Sequence, residues 1–130
     1  MLVNERGKVG KGAREGLPEQ ELKALRAFYQ AMEPFEQLRH DMPLQYVRTF
    51  MLVCLDPGLS VTEYAQRAGV SQTVMSRHLL DIGDRNRYMG PGFGLITKRT
   101  NPMNLRQQEV LLTDKGKQVA HKMARTLMTV

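Results

Sequence analysis

Four side chains within six residues, Gln72, Thr73, Ser76 and Arg77, carry the hydrogen-bonding chemistry that reads a nucleic acid. Gln pairs bidentately with adenine and Arg with guanine, while Ser and Thr bond a phosphate or a base edge. In the segment QTVMSRHLLDIG, Met75, Leu79 and Ile82 recur at helical spacing as an inward stripe, which leaves the four polar residues on other faces. The outer face is nearly free of acids, the first being Asp81 in the third turn. Catalytic chemistry is not discernible: there is no pair of catalytic carboxylates, no Ser/His/Asp or Cys/His set and no HExxH, so an enzyme is not expected. His40, His78 and His121 lie far apart and there is one cysteine, so no metal set is visible. His78 sits at the margin of the inward stripe and reads as a packed or phosphate-contacting histidine. The glycine-rich run from Gly90 to Gly94 is not a phosphate-binding loop, because no Gly-Lys-Ser/Thr follows it, and no cofactor is expected.

The elements that must hold these residues are legible around them. Ser60 with Glu63 three residues on forms a capping box that opens a short helix, SVTEYAQRA, ended by Gly69. Ser71 then caps the next helix, starting at Gln72. Two short helices joined by a glycine-containing turn make a helix-turn-helix, with Ala65 small at the crossing and Val70 and Met75 filling the angle. Downstream, strands LITKR (95–99) and QQEVLLT (107–113), joined by the loop TNPMNLR, predict a β-hairpin with a basic tip, a wing. Thr113 caps a last helix striped by Val119, Met123 and Leu127. Upstream, Leu22, Leu25, Phe28, Met32, Phe35 and Leu38 form one apolar stripe from Pro18, with a kink or restart at Pro34. That stripe is more aromatic than a small domain needs: either it is core, or part of it faces another subunit. A second helix follows from Leu44, with Val47, Phe50, Met51 and Cys54 inward, closed by the turn Asp56-Pro57-Gly58.

A chain of 130 residues, 42% apolar and 25% charged, predicts one soluble globular domain. Residues 1–17, with four Gly and four basic residues, read as a flexible basic tail, either an arm that touches DNA or, more simply, a disordered terminus. The domain proper is 18–130. The longest apolar run, Phe50 to Leu55, falls far short of the roughly 18 residues that span a bilayer, so no membrane partner and a cytoplasmic location are expected. Cys54 alone forms no intramolecular disulfide, and mid-helix in that run it reads as a buried, inert thiol rather than a redox switch. The net charge of +6 favours a polyanionic partner. It is unevenly placed: residues 60–130 hold eleven basic and five acidic side chains, residues 19–59 four and six. Between Arg85 and Arg106 there are five basic residues and no acid, so the excess should line a face made of recognition helix and wing.

Taken together, GLSVTEYAQRAGVSQTVMSRHL (58–79), the wing segment GLITKRTNPMNLRQQEVLLT (94–113) and the exit LTDKGK (112–117) resemble the MarR family of winged helix-turn-helix transcriptional regulators over about residues 20–130. The implied fold is mainly α with a small β-wing, the N- and C-terminal helices forming a dimer interface. The implied function is that of a homodimeric regulator, a repressor in the first instance, binding a pseudo-palindromic site on double-stranded DNA. On this resemblance Gln72, Thr73, Ser76 and Arg77 contact bases or nearby phosphates in the major groove, and Arg106 is the wing arginine of the minor groove. Ser71, Lys98 and Arg99 add phosphate contacts. Where the family carries Asp-x-Arg, this chain has Asn104-Leu105-Arg106, so Asn104 offers Arg106 an amide in place of a carboxylate. The run Phe28, Tyr29, Met32, Phe35, Met42, Tyr46, Phe50 and Met51 is enough soft apolar surface for a small aromatic effector, though plain core and dimer packing explain it more simply. A winged-helix module for protein or RNA interaction, without operator binding, is the alternative.

Overall fold

The computed structural model describes residues 14–84 and 91–128. Most of the expected tail, and Arg85 and Arg87 of the expected basic face, lie outside the described residues. Six helices and one hairpin follow in order: α1 (Glu19–Ala31), α2 (Glu33–Leu38), α3 (Leu44–Leu55), α4 (Val61–Ala68), α5 (Gln72–Ile82), β1 (Ile96–Asn101), β2 (Asn104–Leu112) and α6 (Asp114–Met128). The chain is mainly helical, with a two-stranded antiparallel wing.

The first apolar stripe does not all turn inward. α1 buries Ala27 and Ala31, whereas Leu25, Phe28 and Tyr29 are 52%, 54% and 81% exposed. α1 packs along α6. The break comes at Met32, and Pro34 sits in the first turn of α2, where its missing N–H leaves no ladder bond wanting. Phe35 is buried edge-on against Phe50, ring centroids 5.6 Å apart. On α3, Val47, Phe50 and Val53 are buried, while Met51 and Cys54 are only half-buried. The core joins these to Tyr64 and Ala65 of α4, Met75, Leu79 and Ile82 of α5, Leu95, Ile96 and Val110 of the wing, and Val119 and Met123 of α6. Leu127 stays 41% exposed, outside that core.

The wing departs from its expected shape. Strands run almost to the tip, leaving a two-residue turn, Pro102-Met103, where a seven-residue loop was expected. Register explains the difference. Thr100 faces Gln108, but Asn101 faces Asn104, so Leu105, Arg106 and Gln107 bulge from the ladder. A bulge twists the strand locally and re-aims its side chains.

Candidate nucleic-acid interface

Local chemistry builds the helix-turn-helix as the capping residues require. The Ser60 hydroxyl accepts the Glu63 N–H at 3.2 Å, and the Glu63 carboxylate accepts the Ser60 N–H at 3.1 Å. Tyr64, fully buried, ties α4 to the preceding turn: its hydroxyl donates to the Asp56 carbonyl at 2.6 Å and accepts the Leu59 N–H at 3.3 Å. Arg67 pairs with Asp56 across the same turn. Gly69 ends α4 at φ +69°, a left-handed conformation that costs a residue with a Cβ, and the Ser71 hydroxyl accepts the Val74 N–H at 3.1 Å to open α5. Met75, Leu79 and Ile82 then lock α5 into the core at 0–1% exposure.

That packing presents Gln72, Thr73 and Arg77 to solvent, with Ser71 exposed at the cap and Ser76 half-buried. The face is more uniformly non-acidic than its sequence suggests, because Asp81 turns inward. Its carboxylate, 6% exposed, accepts the Tyr46 hydroxyl of α3. Beside it the His78 ring packs edge-on against Tyr46, centroids 5.3 Å apart, and its Nδ1 lies 3.4 Å from the Thr49 hydroxyl. Burial pushes the His78 imidazole below its ordinary value, with the Asp81 charge pulling the other way. Val70, expected with Met75 to fill the interhelical angle, is 36% exposed, whereas Met75 is fully buried.

Main-chain bonds fasten the wing to the recognition helix. The Phe93, Gly94 and Leu95 N–H groups donate to the carbonyls of Asp81, Gly83 and Ile82 at 3.1, 2.8 and 2.8 Å. The Leu95 carbonyl accepts the Thr113 N–H at 3.1 Å, and the Thr113 hydroxyl accepts the Gly116 N–H at 3.0 Å, capping α6. Gly116 lies so close to Leu95 that a Cβ would fall 2.0 Å from its carbonyl oxygen. At the other edge, Val110 exchanges bonds with Gly58 and Leu59. Recognition helix, wing and α6 thus share one junction.

The four wing residues fare differently. Lys98 and Arg106 are exposed. Arg99 is exposed too, but its guanidinium pairs at 2.5 Å with Glu109, its partner across the ladder. Asn104 is spent on the main chain, its Oδ1 accepting the Arg106 N–H at 3.2 Å, so it steers Arg106 through the backbone. Sequence reasoning missed this bulge and the Tyr46–Asp81 link; the only signals were Asn101 and Asn104 three residues apart and a lone Asp within an apolar stretch.

A cavity of about 380 Å³ opens between α3 and the helix-turn-helix, lined by Arg48, Met51, Leu52, Leu55, Val70 and His78 among others. Of the aromatic and methionine run expected to line a pocket, only Met51 is among its walls; Phe35 and Phe50 are core. Burial pushes the nearby Cys54 thiol up to about 11. Among the described residues no cluster of His, Cys, Asp and Glu could hold a metal ion, and no helix is long and apolar enough to cross a membrane.

This arrangement defines a winged helix-turn-helix, the fold of MarR-family transcriptional regulators. The transcriptional repressor CouR, solved bound to a 23-mer DNA duplex, is 22% identical and matches with a TM-score of 0.56 over 94% of this chain and 80% of its own. The PcaV transcriptional regulator from Streptomyces coelicolor, solved in complex with its natural ligand, is 16% identical, with a TM-score of 0.54 over 85% of this chain and 71% of its own. MarR from E. coli in its apo form is 15% identical, with a TM-score of 0.57 over 86% and 78%. No family sequence model matches the chain, and no curated protein matches it by sequence.

Proposed function

We propose that this chain is a MarR-family regulator of transcription that binds double-stranded DNA as a homodimer, α5 in the major groove and the wing alongside. One observation carries the reading: an exposed α5 face, the only acid within α5, Asp81, being turned into the core, joined by main-chain bonds to a wing that projects Lys98 and Arg106. Gln72, Thr73, Ser76 and Arg77 read bases; Ser71, Lys98 and Arg99 hold phosphates, with Arg99 exchanging Glu109 for the backbone; Arg106, aimed by Asn104, enters the minor groove. The second subunit covers Leu25, Phe28 and Tyr29 of α1 with Leu127 and Met128 of α6, all exposed in one copy. Such symmetry requires a pseudo-palindromic operator with half-sites about 34 Å apart, and a dimer seated there acts as a repressor by occluding a promoter, in the cytoplasm. CouR, a repressor solved on DNA, supports this reading by its fold. The cavity beside His78 is the place for a small aromatic effector with an acidic group, Arg48 supplying a cation above an apolar floor.

Selection of bound sequences from a random duplex pool, followed by a salt titration of the winner, tests the proposal. Expected is an inverted repeat and a steep log-log salt slope, about −0.9 for each phosphate neutralised. Recovery of no preferred sequence, with a slope near zero, would reassign the fold to protein or RNA interaction.

A further inference from the structure

The wing ends in an apolar point set among cations. Met103 is 92% exposed and Leu105 79%, and Met103 is the most exposed large apolar side chain among the described residues. Single exposed apolar residues are ordinary. Here two stand together on backbone that is held in place: the Asn101 Oδ1 accepts the Met103 N–H at 2.8 Å and the Asn104 Oδ1 the Arg106 N–H at 3.2 Å. Leu105 and Arg106 are neighbours in the bulge, so one feature displays an apolar wedge and a guanidinium side by side.

Charge and reach identify what the wedge meets. The only carboxylate of the two strands, Glu109, is engaged by Arg99, which leaves Lys98 and Arg106 to set the sign of the tip. β1 rises from the end of α5, and its six residues, Ile96–Asn101, span about 20 Å at about 3.3 Å each. Half a turn of duplex, about 17 Å, separates a major groove from the next minor groove. Many proteins that enter a minor groove insert Met, Leu or Pro between base steps, unstacking them in part and bending the duplex. We infer that Met103 and Leu105 are a wedge that opens a base step in the minor groove flanking each half-site, beside Arg106, and that flexible pyrimidine–purine steps are selected there because they unstack most cheaply. The inference rests on the duplex-binding reading and adds specificity at base pairs that α5 does not touch.

The test uses the duplex recovered by selection, rebuilt with either a TA step or an A-tract under the wing, with fluorescence transfer between its ends reporting the bend. The intact protein should bend the TA duplex and bind it about tenfold tighter than the A-tract duplex. The paired variant Met103→Ala/Leu105→Ala should bind both alike and bend neither, at an unchanged melting temperature, since both side chains lie in solvent. Arg106→Ala should weaken both duplexes and keep the step preference. If the intact protein binds without bend or step preference, the wedge is wrong and the regulator reading stands. A paired variant that keeps both also overturns the wedge. Absence of salt-dependent duplex binding overturns both.

Discussion

Arg77 and Lys98 carry the same charge and should fail in different ways. Arg77 is exposed on α5; on the proposed DNA-binding reading it contacts a base, so Arg77→Ala should cost about 1–3 kcal/mol of discrimination between operator and random duplex. Lys98 is exposed on the wing; on the same proposal it holds a phosphate, and Lys98→Ala should weaken both duplexes alike and flatten the salt slope by about 0.9. Competition binding at several salt concentrations separates the two, and exchanged outcomes would reverse the roles. His78 gives a second prediction at this scale. Because burial holds its pKa below the ordinary 6.5, the unfolded chain takes up a proton that the folded chain refuses. Stability is therefore complete above about pH 6.5 and declines as pH falls through that value toward the folded pKa. His78→Gln should flatten this part of the melting-temperature profile, the difference from the unsubstituted protein isolating His78 from His40 and His121. The polar readers were legible in the sequence because helical period alone sets which residues point away from Met75, Leu79 and Ile82. Asp81 was misplaced because its partner, Tyr46, lies 35 residues away, where no local period reaches. The Arg99–Glu109 pair escapes the sequence for the same reason: Glu109 meets Arg99 only once the strands pair.

Individual elements stand on their ends. Ser60→Ala removes a two-way cap and should destabilise the protein by about 1 kcal/mol. Gly116→Ala should cost more despite improving helix propensity, since the new methyl would meet backbone rather than a side chain that could move away. Denaturant midpoints for the two variants check that order. Caps were readable because they are local contracts between residues three apart, and so the bounds of α4 and α5 follow closely from Ser60, Gly69 and Ser71. The wing was readable as a hairpin and not as a register: Pro102 and Asn101 look like loop residues, yet pairing resumes at Asn104 because the bulge absorbs three residues on one strand. α1 shows the other way a pattern misleads. Its 3-4 spacing marks an amphipathic helix correctly, but the small residues Ala27 and Ala31 take the buried side and the large Leu25, Phe28 and Tyr29 stay exposed.

At the scale of the molecule, that leftover surface is the expected seam between subunits. Phe28→Glu should leave the chain folded, since the ring is 54% exposed in one copy, and convert the dimer to monomers by light scattering, with operator affinity falling to that of a single half-site. A monomeric parent protein would refute the seam. The concentration of basic residues toward the C-terminal half anticipated a charged face; how that face is coupled to the rest could not be anticipated, because the coupling is main-chain bonding that side-chain patterns do not encode. Leu95 is where it resides, its N–H bonded to α5, its carbonyl to Thr113, and Gly116 against its backbone. Leu95 thus ties the wing to α5 on one side and to the start of α6 on the other. The Leu95 amide should therefore exchange its proton for deuterium only when the domain opens globally, as slowly as the innermost amides of α5 and far more slowly than those of the wing tip, making it a single-site clock for the unfolding of the entire winged-helix unit.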